Sequence, residues 1–449
     1  MLGLLLLVAL PTNAATVEEI FAAARNYTVY IETRIETPFI EDDPGSYLGA
    51  GFIVDRERGW VMTNAHVIGH SPATLDVTFS DGAKSKATPV YIDSFLDLAV
   101  IQLEAGKTNS RDQARLDCAD HPAVGVPVGA YGHPNGYRFT GTRGIVSGFS
   151  SLSGSAGLQT DAPINGGNSG GPLIRLDTGT VVGINTQSLV GDHVQNMNFA
   201  VETVYACRVL DLLQHGEDPR PAALDALFYM EDGQPTLTVS HVGPRAASFG
   251  LRAGDRIVAV GNAQIAPSNL AELMHRLRGV RGSVDLQVER AGSESTIAYP
   301  IVPDDAVLSR RGFFFAGALF APTLYQDAGL LTDQPKLMVH FVARGSVAES
   351  AGLAAFDQLI GVNGRPIDDV DQLSSVALGS PATTAEIDVI RLVPHLERFT
   401  RHIRASLPLD HATWVALRPT DAAVPDVGEP LHTDAAERTD FASANQPIN

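Results

Sequence analysis

Cysteine is nearly absent: the 449-residue chain carries two, Cys118 and Cys207. Two cannot build the multi-bridge framework of a small disulfide scaffold. In an oxidising compartment they can form one bridge, and two unpaired thiols are equally compatible with the sequence. Long apolar runs are missing too. Beyond the N-terminus the longest is the nine residues from Phe313 to Ala321, against the roughly 18 of a membrane span. Bases are the minority, 32 Lys and Arg against 51 Asp and Glu, for a formal charge of −19. That excludes the basic surface on which non-specific nucleic-acid binding depends. The 13 histidines show no H-E-x-x-H spacing, and no Gly-rich phosphate loop ends in Lys. The sequence therefore offers no zinc-ligand spacing and no nucleotide-phosphate loop, and we expect no metal and no nucleotide. What is present is ordinary for a soluble globular protein, 44% hydrophobic and 18% charged, with length enough for about three domains.

Residues 2–10 read LGLLLLVAL and are followed by Pro-Thr-Asn-Ala-Ala. A short apolar run ending in small residues predicts a secretory signal peptide over 1–14, cleaved near Ala14 or Ala15, although only Met1 precedes it where a positive segment is usual. A buried N-terminal strand is the alternative. The expectation is an exported protein with no membrane span after cleavage. Thr16-Val17-Glu18-Glu19 has the form of a capping box and predicts a helix to about Arg25. Short strand-like runs separated by Gly, Asp, Asn and Pro continue to about residue 201, the pattern of a β-sandwich or barrel. A helix over 202–214 then closes a first domain, 15–214, and the polar segment 215–222 reads as a linker.

An internal repeat follows. Val242-Gly243-Pro244-Arg245-Ala246 with Gly250-Leu251 and Asp255 recurs as Arg344-Gly345-Ser346-Val347-Ala348 with Gly352-Leu353 and Asp357, at a constant offset of 102 residues. Two units of equal size result, 223–303 and 309–408, too long for a solenoid repeat. The tail 409–449 is acidic and poor in large apolar residues, which predicts disorder.

Residues 161–173, DAPINGGNSGGPL, place Ser169 among glycines. Small neighbours permit a sharp turn that exposes a hydroxyl and lets backbone N–H groups converge. Ser169 is then a candidate nucleophile, with the N–H groups of Gly167 and Ser169, flanking Asn168, as oxyanion donors. Serine is a weak nucleophile without a base. His66, at the end of an apolar run in Thr63-Asn64-Ala65-His66-Val67, has suitable chemistry. Asp97, just ahead of the apolar Leu98-Ala99-Val100-Ile101, can accept from a His Nδ1–H and stabilise the imidazolium. The order His, Asp, Ser is that of chymotrypsin-type enzymes.

The segments Gly49-Ala50-Gly51-Phe52-Ile53-Val54, Thr63–Val67, Asp97–Ile101 and Asn165–Leu173 together resemble the HtrA/Deg family of secreted serine proteases. The resemblance runs from about residue 16 to 408. It implies a mainly β protein: a chymotrypsin-like double β-barrel followed by two α+β PDZ domains. It implies a cofactor-free periplasmic endoprotease acting on unfolded or damaged envelope polypeptides and assembling as homotrimers or multiples of them. It places Pro163 at the base of the P1 pocket, with Ile184, Asn185, Thr186, Asn198, Phe199 and Ala200 along its walls, and so a preference for small or medium apolar P1 residues. Segments 151–163 and 187–198 become activation and specificity loops. Segment 36–48 is short for the family, which argues against a long regulatory arm. In the second repeat, Arg311, Gly312, Phe313 and Phe314 resemble a carboxylate-binding loop for C-terminal peptides; an apolar core strand is the other reading. The first repeat has Leu227-Phe228-Tyr229-Met230 there, without the usual Gly, which disfavours peptide binding. Phe356 replaces Gly254 of the first repeat, which suggests a different turn. Two alternatives to a quality-control protease are a PDZ-based chaperone or scaffold and a regulatory protease with one dedicated substrate.

Overall fold

The structure is a computed structural model, and it describes residues 15–119, 121–150, 157–188, 197–230, 236–261, 269–304, 307–323, 336–379, 383–392, 400–409 and 411–417. The expected signal peptide, the tail from 418 onward and the loop segments 151–156 and 189–196 lie outside the described residues. No described helix is long and apolar enough to cross a membrane.

Helix α1 (Val17–Tyr27) starts on the expected capping box, in which Thr16 and Glu19 satisfy each other's backbone N–H. It leads into β1 (Thr28–Ile35), β2 (Gly45–Asp55), β3 (Trp60–Thr63), the short helix α2 (Ala65–Ile68), β4 (Ala73–Thr78), β5 (Lys84–Asp93) and β6 (Leu98–Leu103). These strands close into a barrel in the order β1-β2-β3-β6-β5-β4. Then come β7 (Pro127–Gly132), β8 (Thr140–Ser150), β9 (Gly157–Thr160), β10 (Pro172–Arg175), β11 (Val181–Ser188) and β12 (Asn198–Glu202), closed in the order β10-β11-β12-β9-β8-β7. Closure leaves no free sheet edge in either barrel. Val29, Ile31, Phe52, Val61 and Val100 fill the first, and Val128, Val146, Leu158 and Leu173 the second. Helix α3 (Thr203–Gln214) packs on β11 and β12. Its Cys207 is bonded to Cys118, Cα atoms 5.8 Å apart across 89 residues, which settles the question left open by the sequence. A bridge over that span stabilises by about 4–5 kcal/mol in the chain-entropy account.

The first repeat unit is β13 (Ala226–Met230), β14 (Leu237–Val242), α4 (Pro244–Ser248), β15 (Arg256–Val260), α5 (Leu270–Leu277), β16 (Ser283–Arg290) and β17 (Ser293–Pro300), a five-stranded sheet in chain order. The second begins with β18 (Arg311–Phe315) and continues with β19 (Ala318–Pro322), β20 (Leu337–Val342), α6 (Val347–Ser350), β21 (Gln358–Val362), α7 (Val370–Leu378), β22 (Thr384–Leu392), β23 (Thr400–Pro408) and β24 (Thr413–Ala416). Its sheet has seven strands, β23-β22-β21-β20-β19-β18-β24. The common plan is therefore β13 to β17 against β19 to β23. The repeat's aspartates explain part of its pattern. Asp255 binds Arg290 and the N–H of Arg252, and Asp357 binds Arg391 and the N–H of Ala354. In each unit the same arginine also donates to a glycine carbonyl, Gly250 or Gly352.

Three sequence expectations change here. Arg311, Gly312, Phe313 and Phe314 form no loop; they are β18, with Phe313 and Phe315 fully buried. Their alternation of buried side chains is that of a core strand, the other reading of this run. The second unit does not stop at 408, because β24 pairs with β18. The turn at Phe356 keeps the left-handed form of its counterpart, φ +70° against +90° at Gly254, so a residue with a Cβ carries a conformation that favours glycine.

Candidate active site

His66 and Asp97 come from the first barrel. β3 ends at Thr63, and the single turn of α2 carries His66 out to the surface. Asp97 lies in the turn between β5 and β6 with a left-handed φ of +53°. Asn64 supports that conformation, its Nδ2 donating to the Asp97 carbonyl at 2.8 Å. The Asp97 carboxylate then accepts from the His66 backbone N–H at 3.0 Å, from His66 Nδ1 at 2.8 and 3.0 Å, and from Thr186 Oγ1 at 2.6 Å. A carboxylate only accepts, so Nδ1 carries the hydrogen and a neutral imidazole presents Nε2 as a lone pair.

Ser169 comes from the second barrel, ahead of β10. Asn168 N–H donates to the Asn165 carbonyl at 2.9 Å. Gly167, at φ +97°, takes the third position of this turn, where left-handed backbone is required. A Cβ there would lie 2.2 Å from the His133 carbonyl. The N–H groups of Gly167 and Ser169 have no acceptor among the described residues. The two barrels meet at this turn: Ala50 N–H donates to the Ser169 carbonyl at 2.8 Å. A Cβ on Gly170 would come within 2.1 Å of the Ala50 carbonyl, so glycine permits the approach. Ser169 Oγ donates to the Thr186 carbonyl at 2.8 Å.

His133 braces the turn from below. Its N–H donates to Gly167 O at 3.1 Å, and Asn135 N–H donates to Gly166 O at 2.7 Å. Its buried ring bridges the barrels, donating from Nε2 to the Val29 carbonyl and accepting the Phe139 N–H at Nδ1, each at 3.0 Å. Burial pushes its pKa down to about 4, which keeps the ring neutral and Nδ1 available as an acceptor.

The remaining expected site residues divide. Thr186 sits at the centre of the constellation, bonded to Asp97 by its side chain and to Ser169 by its carbonyl. Pro163 is exposed, its carbonyl accepting from Thr142. Ile184 and Ala200 are fully buried core residues of the barrels, and Asn185 is buried with Nδ2 on the Pro172 carbonyl. Strand alternation sends successive side chains to opposite faces, so Ile184 and Ala200 point into the cores instead of lining a pocket. Asn198 and Phe199 are also buried. The sequence reading missed Asn64 and His133; the first was legible as the polar neighbour of His66. It also missed Arg278, at the end of α5. That guanidinium is buried against Asp93 at 2.7 Å and Tyr91 Oη at 3.0 Å. Asp93, four residues ahead of Asp97, also accepts the Tyr91 hydroxyl at 2.8 Å and the Leu96 N–H at 2.9 Å. The first repeat unit is thus bonded to the turn that carries Asp97.

Residues 49–184 match the trypsin-like peptidase domain family, a span that contains all three residues of the constellation. A probable periplasmic serine endoprotease, DegP-like, from Chlamydia trachomatis is 31% identical over 382 residues, covering 77% of this chain and 73% of the relative. The periplasmic pH-dependent serine endoprotease DegQ of Escherichia coli is 29% identical over 372 residues, 78% of this chain and 79% of the relative. The solved HtrA-type protease AlgW with tripeptide superposes with a TM-score of 0.53 at 24% identity, over 65% of this chain and 98% of that one, a likeness of fold. Sequence over three quarters of its length, and the fold, make this chain a member of the HtrA/DegP family of serine endoproteases.

Proposed function

We propose that this serine endoprotease works in the periplasm on unfolded or damaged polypeptides, with Ser169, His66 and Asp97 as its triad. The observation that carries the reading is the Asp97 carboxylate, which gathers the His66 ring, the His66 N–H and Thr186 beside the Ser169 turn. In this mechanism the Ser169 hydroxyl leaves the Thr186 carbonyl and gives its proton to His66 Nε2 as Oγ attacks the scissile carbonyl. The imidazolium so formed is stabilised by Asp97 and returns the proton to the leaving amine. The oxyanion is held by the Gly167 and Ser169 N–H groups, which have no other acceptor among the described residues, and this supports that role. We read the two repeat units as PDZ domains, which hold extended peptides by strand addition, and the assembly as a trimer or multiple of trimers. The names of the relatives and the disulfide support an oxidising, extracytoplasmic setting.

The test is casein digestion by the mature protein and its Ser169→Ala variant, with cut sites mapped by mass spectrometry. Cleavage by the native protein alone, after small or medium apolar residues, is expected, with a loss of at least 1,000-fold in the variant. Equal cleavage by both would remove Ser169 from the mechanism.

A further inference from the structure

The oxyanion hole depends on one peptide plane that no side chain of its own restrains. The Gly166–Gly167 peptide lies between two glycines, so its rotation meets little steric resistance. Its orientation is imposed from outside. Asn135 N–H donates to the Gly166 carbonyl at 2.7 Å, and His133 N–H donates to the Gly167 carbonyl at 3.1 Å. In a trans peptide the C=O and the N–H point in opposite directions. With the Gly166 carbonyl on Asn135, the Gly167 N–H therefore faces away from the 133–137 turn, and it has no acceptor among the described residues. Released from Asn135, this peptide is free to turn over, and the hole then loses one of its two donors.

The 133–137 turn needs an anchor in its own right. Two backbone bonds close it, Gly136 N–H to His133 O and Tyr137 N–H to Pro134 O, each at 2.9 Å. They fix its shape and leave its position open. Position comes from the His133 ring, which is fully buried. Nε2 reaches the Val29 carbonyl of β1 in the first barrel, and Nδ1 accepts the Phe139 N–H beyond the far end of the turn, each at 3.0 Å. Tyr30 and Phe139 pack edge-on against it at 5.2 and 4.8 Å between ring centres. The contact with the oxyanion turn is close: a Cβ on Gly167 would lie 2.2 Å from the His133 carbonyl. A shift at His133 is therefore passed directly to Gly167.

We propose that His133 is a positioning residue for the reaction: its buried imidazole seats the 133–137 turn against the first barrel, and the seated turn keeps the Gly167 N–H in the oxyanion hole. The inference rests on the reading above of Ser169 as nucleophile and of the Gly167 and Ser169 N–H groups as the hole. The ring does this only while one nitrogen donates and the other accepts. Its surroundings favour that form. Burial holds its pKa down at about 4, and Arg138, over the Tyr30 ring, acts in the same direction. A second guanidinium, Arg25, lies over Phe139. An imidazolium would turn an Nδ1–H against the Phe139 N–H, donor against donor.

The experiment compares the full-length native enzyme with His133→Ala and His133→Asn. The substrate is a peptide p-nitroanilide with valine at P1, and the inhibitor is the matching peptide boronate. The boronate forms a tetrahedral adduct on the nucleophilic serine with one oxygen in the hole, so it reports the hole as the transition state does. His133→Ala is expected to lower kcat about 10- to 100-fold, with KM within about 2-fold of native and boronate affinity falling in step with kcat. In His133→Asn, Oδ1 takes the place of Nδ1 as acceptor for the Phe139 N–H, and kcat should recover to within about 5-fold of native. Val77→Ala, a truncation in the buried part of β4, lowers stability away from the turn and should keep the native kcat. Should His133→Ala not fold, Asn135→Val carries the test, because a β-branched residue strains at the φ of +52° found there. It should lower kcat and boronate affinity at least 10-fold, and Asn135→Gly should stay near native. Native kcat in His133→Ala overturns the proposal, as does a loss of kcat with boronate affinity unchanged. A boronate that fails to inhibit the native enzyme, or native cleavage by Ser169→Ala, sinks the functional reading itself. A boronate that inhibits native enzyme and His133→Ala alike sinks this inference alone.

Discussion

The two repeat units share a plan and are fastened to the barrels with different emphasis. The first is held by a buried ionic cluster, Arg278 with Asp93 and Tyr91, between α5 and the turn that carries Asp97. The second is held chiefly by an apolar plug, with one ion pair, Arg310 to Glu41, beside it. Phe39, from the segment between β1 and β2, is fully buried against Leu319 and Ala321, with Phe314, Phe341, Val415 and Leu417 around it. His340 accepts the Ile40 N–H at 3.1 Å beside it. Charge in low dielectric demands one geometry, whereas apolar burial is non-directional. The unit whose β13 ends its sheet is thus the one ion-paired next to the turn that carries Asp97.

The largest effect that would sharpen this contrast is at two matched phenylalanines, half-buried Phe228 paired with Val239 and fully buried Phe320 paired with Val339. Phe320→Ala should cost about 4 kcal/mol, as a full truncation in a closed core, and Phe228→Ala about half of that or less. Chemical denaturation of the two variants measures the gap. Equal losses would mean that β13 is covered as β19 is, and the comparison would fail.

Next is the ionic seam. Arg278→Ala leaves Asp93 buried without its cation, but with two donors remaining, Tyr91 Oη and Leu96 N–H. The cost should therefore sit near the lower end for a broken buried pair, about 3 kcal/mol. Because Asp93 shapes the turn before Asp97, kcat should fall more than KM rises. Phe39→Ala should loosen the second unit, seen as faster exchange across β18 and β19, while leaving kcat near native. A loss of kcat in Phe39→Ala equal to that in Arg278→Ala would erase the distinction between the two seams.

Much of this was legible in the residues. The candidate triad and the repeat follow from local patterns: apolar runs before His66 and after Asp97, glycines around Ser169, and Gly, Leu and Asp at matched positions; the double barrel came with the family resemblance. What was not legible depends on partners distant in sequence. Arg311 to Phe315 have the composition of either a loop feeding a groove or a strand filling it, and the Phe320 core that draws β18 in is assembled only in the fold. The pocket expectation failed at Ile184 and Ala200 because strand parity, set in part by the one bulge in the β11–β12 pairing, decides which side chains face the cleft. Arg278 looks like a surface helix-end cation until Asp93, 185 residues earlier, is placed against it. Its role needed tertiary structure.

The smallest effect is one of pH, and it tests the adhesive seam directly. Burial pushes His340 down to about 4, as it does His133 in the active-site brace. Each ring is neutral when folded and titrates near 6.5 when unfolded. Between those values the unfolded chain binds more protons, so stability is fully present above about pH 6.5 and falls as pH drops towards 4. Linkage puts the loss at about 2 kcal/mol per ring between pH 7 and pH 5. Protonation of His340 also removes the acceptor for the Ile40 N–H, next to Phe39. His340→Gln keeps an acceptor without a titrating group, so its unfolding free energy should decline over that interval by about 2 kcal/mol less than that of the native protein. An unchanged pH slope would mean that the second unit leaves its seat without charging His340. The plug at Phe39 would then be separable from the histidine beside it, and the second unit would be held by the plug and the Arg310–Glu41 ion pair next to it.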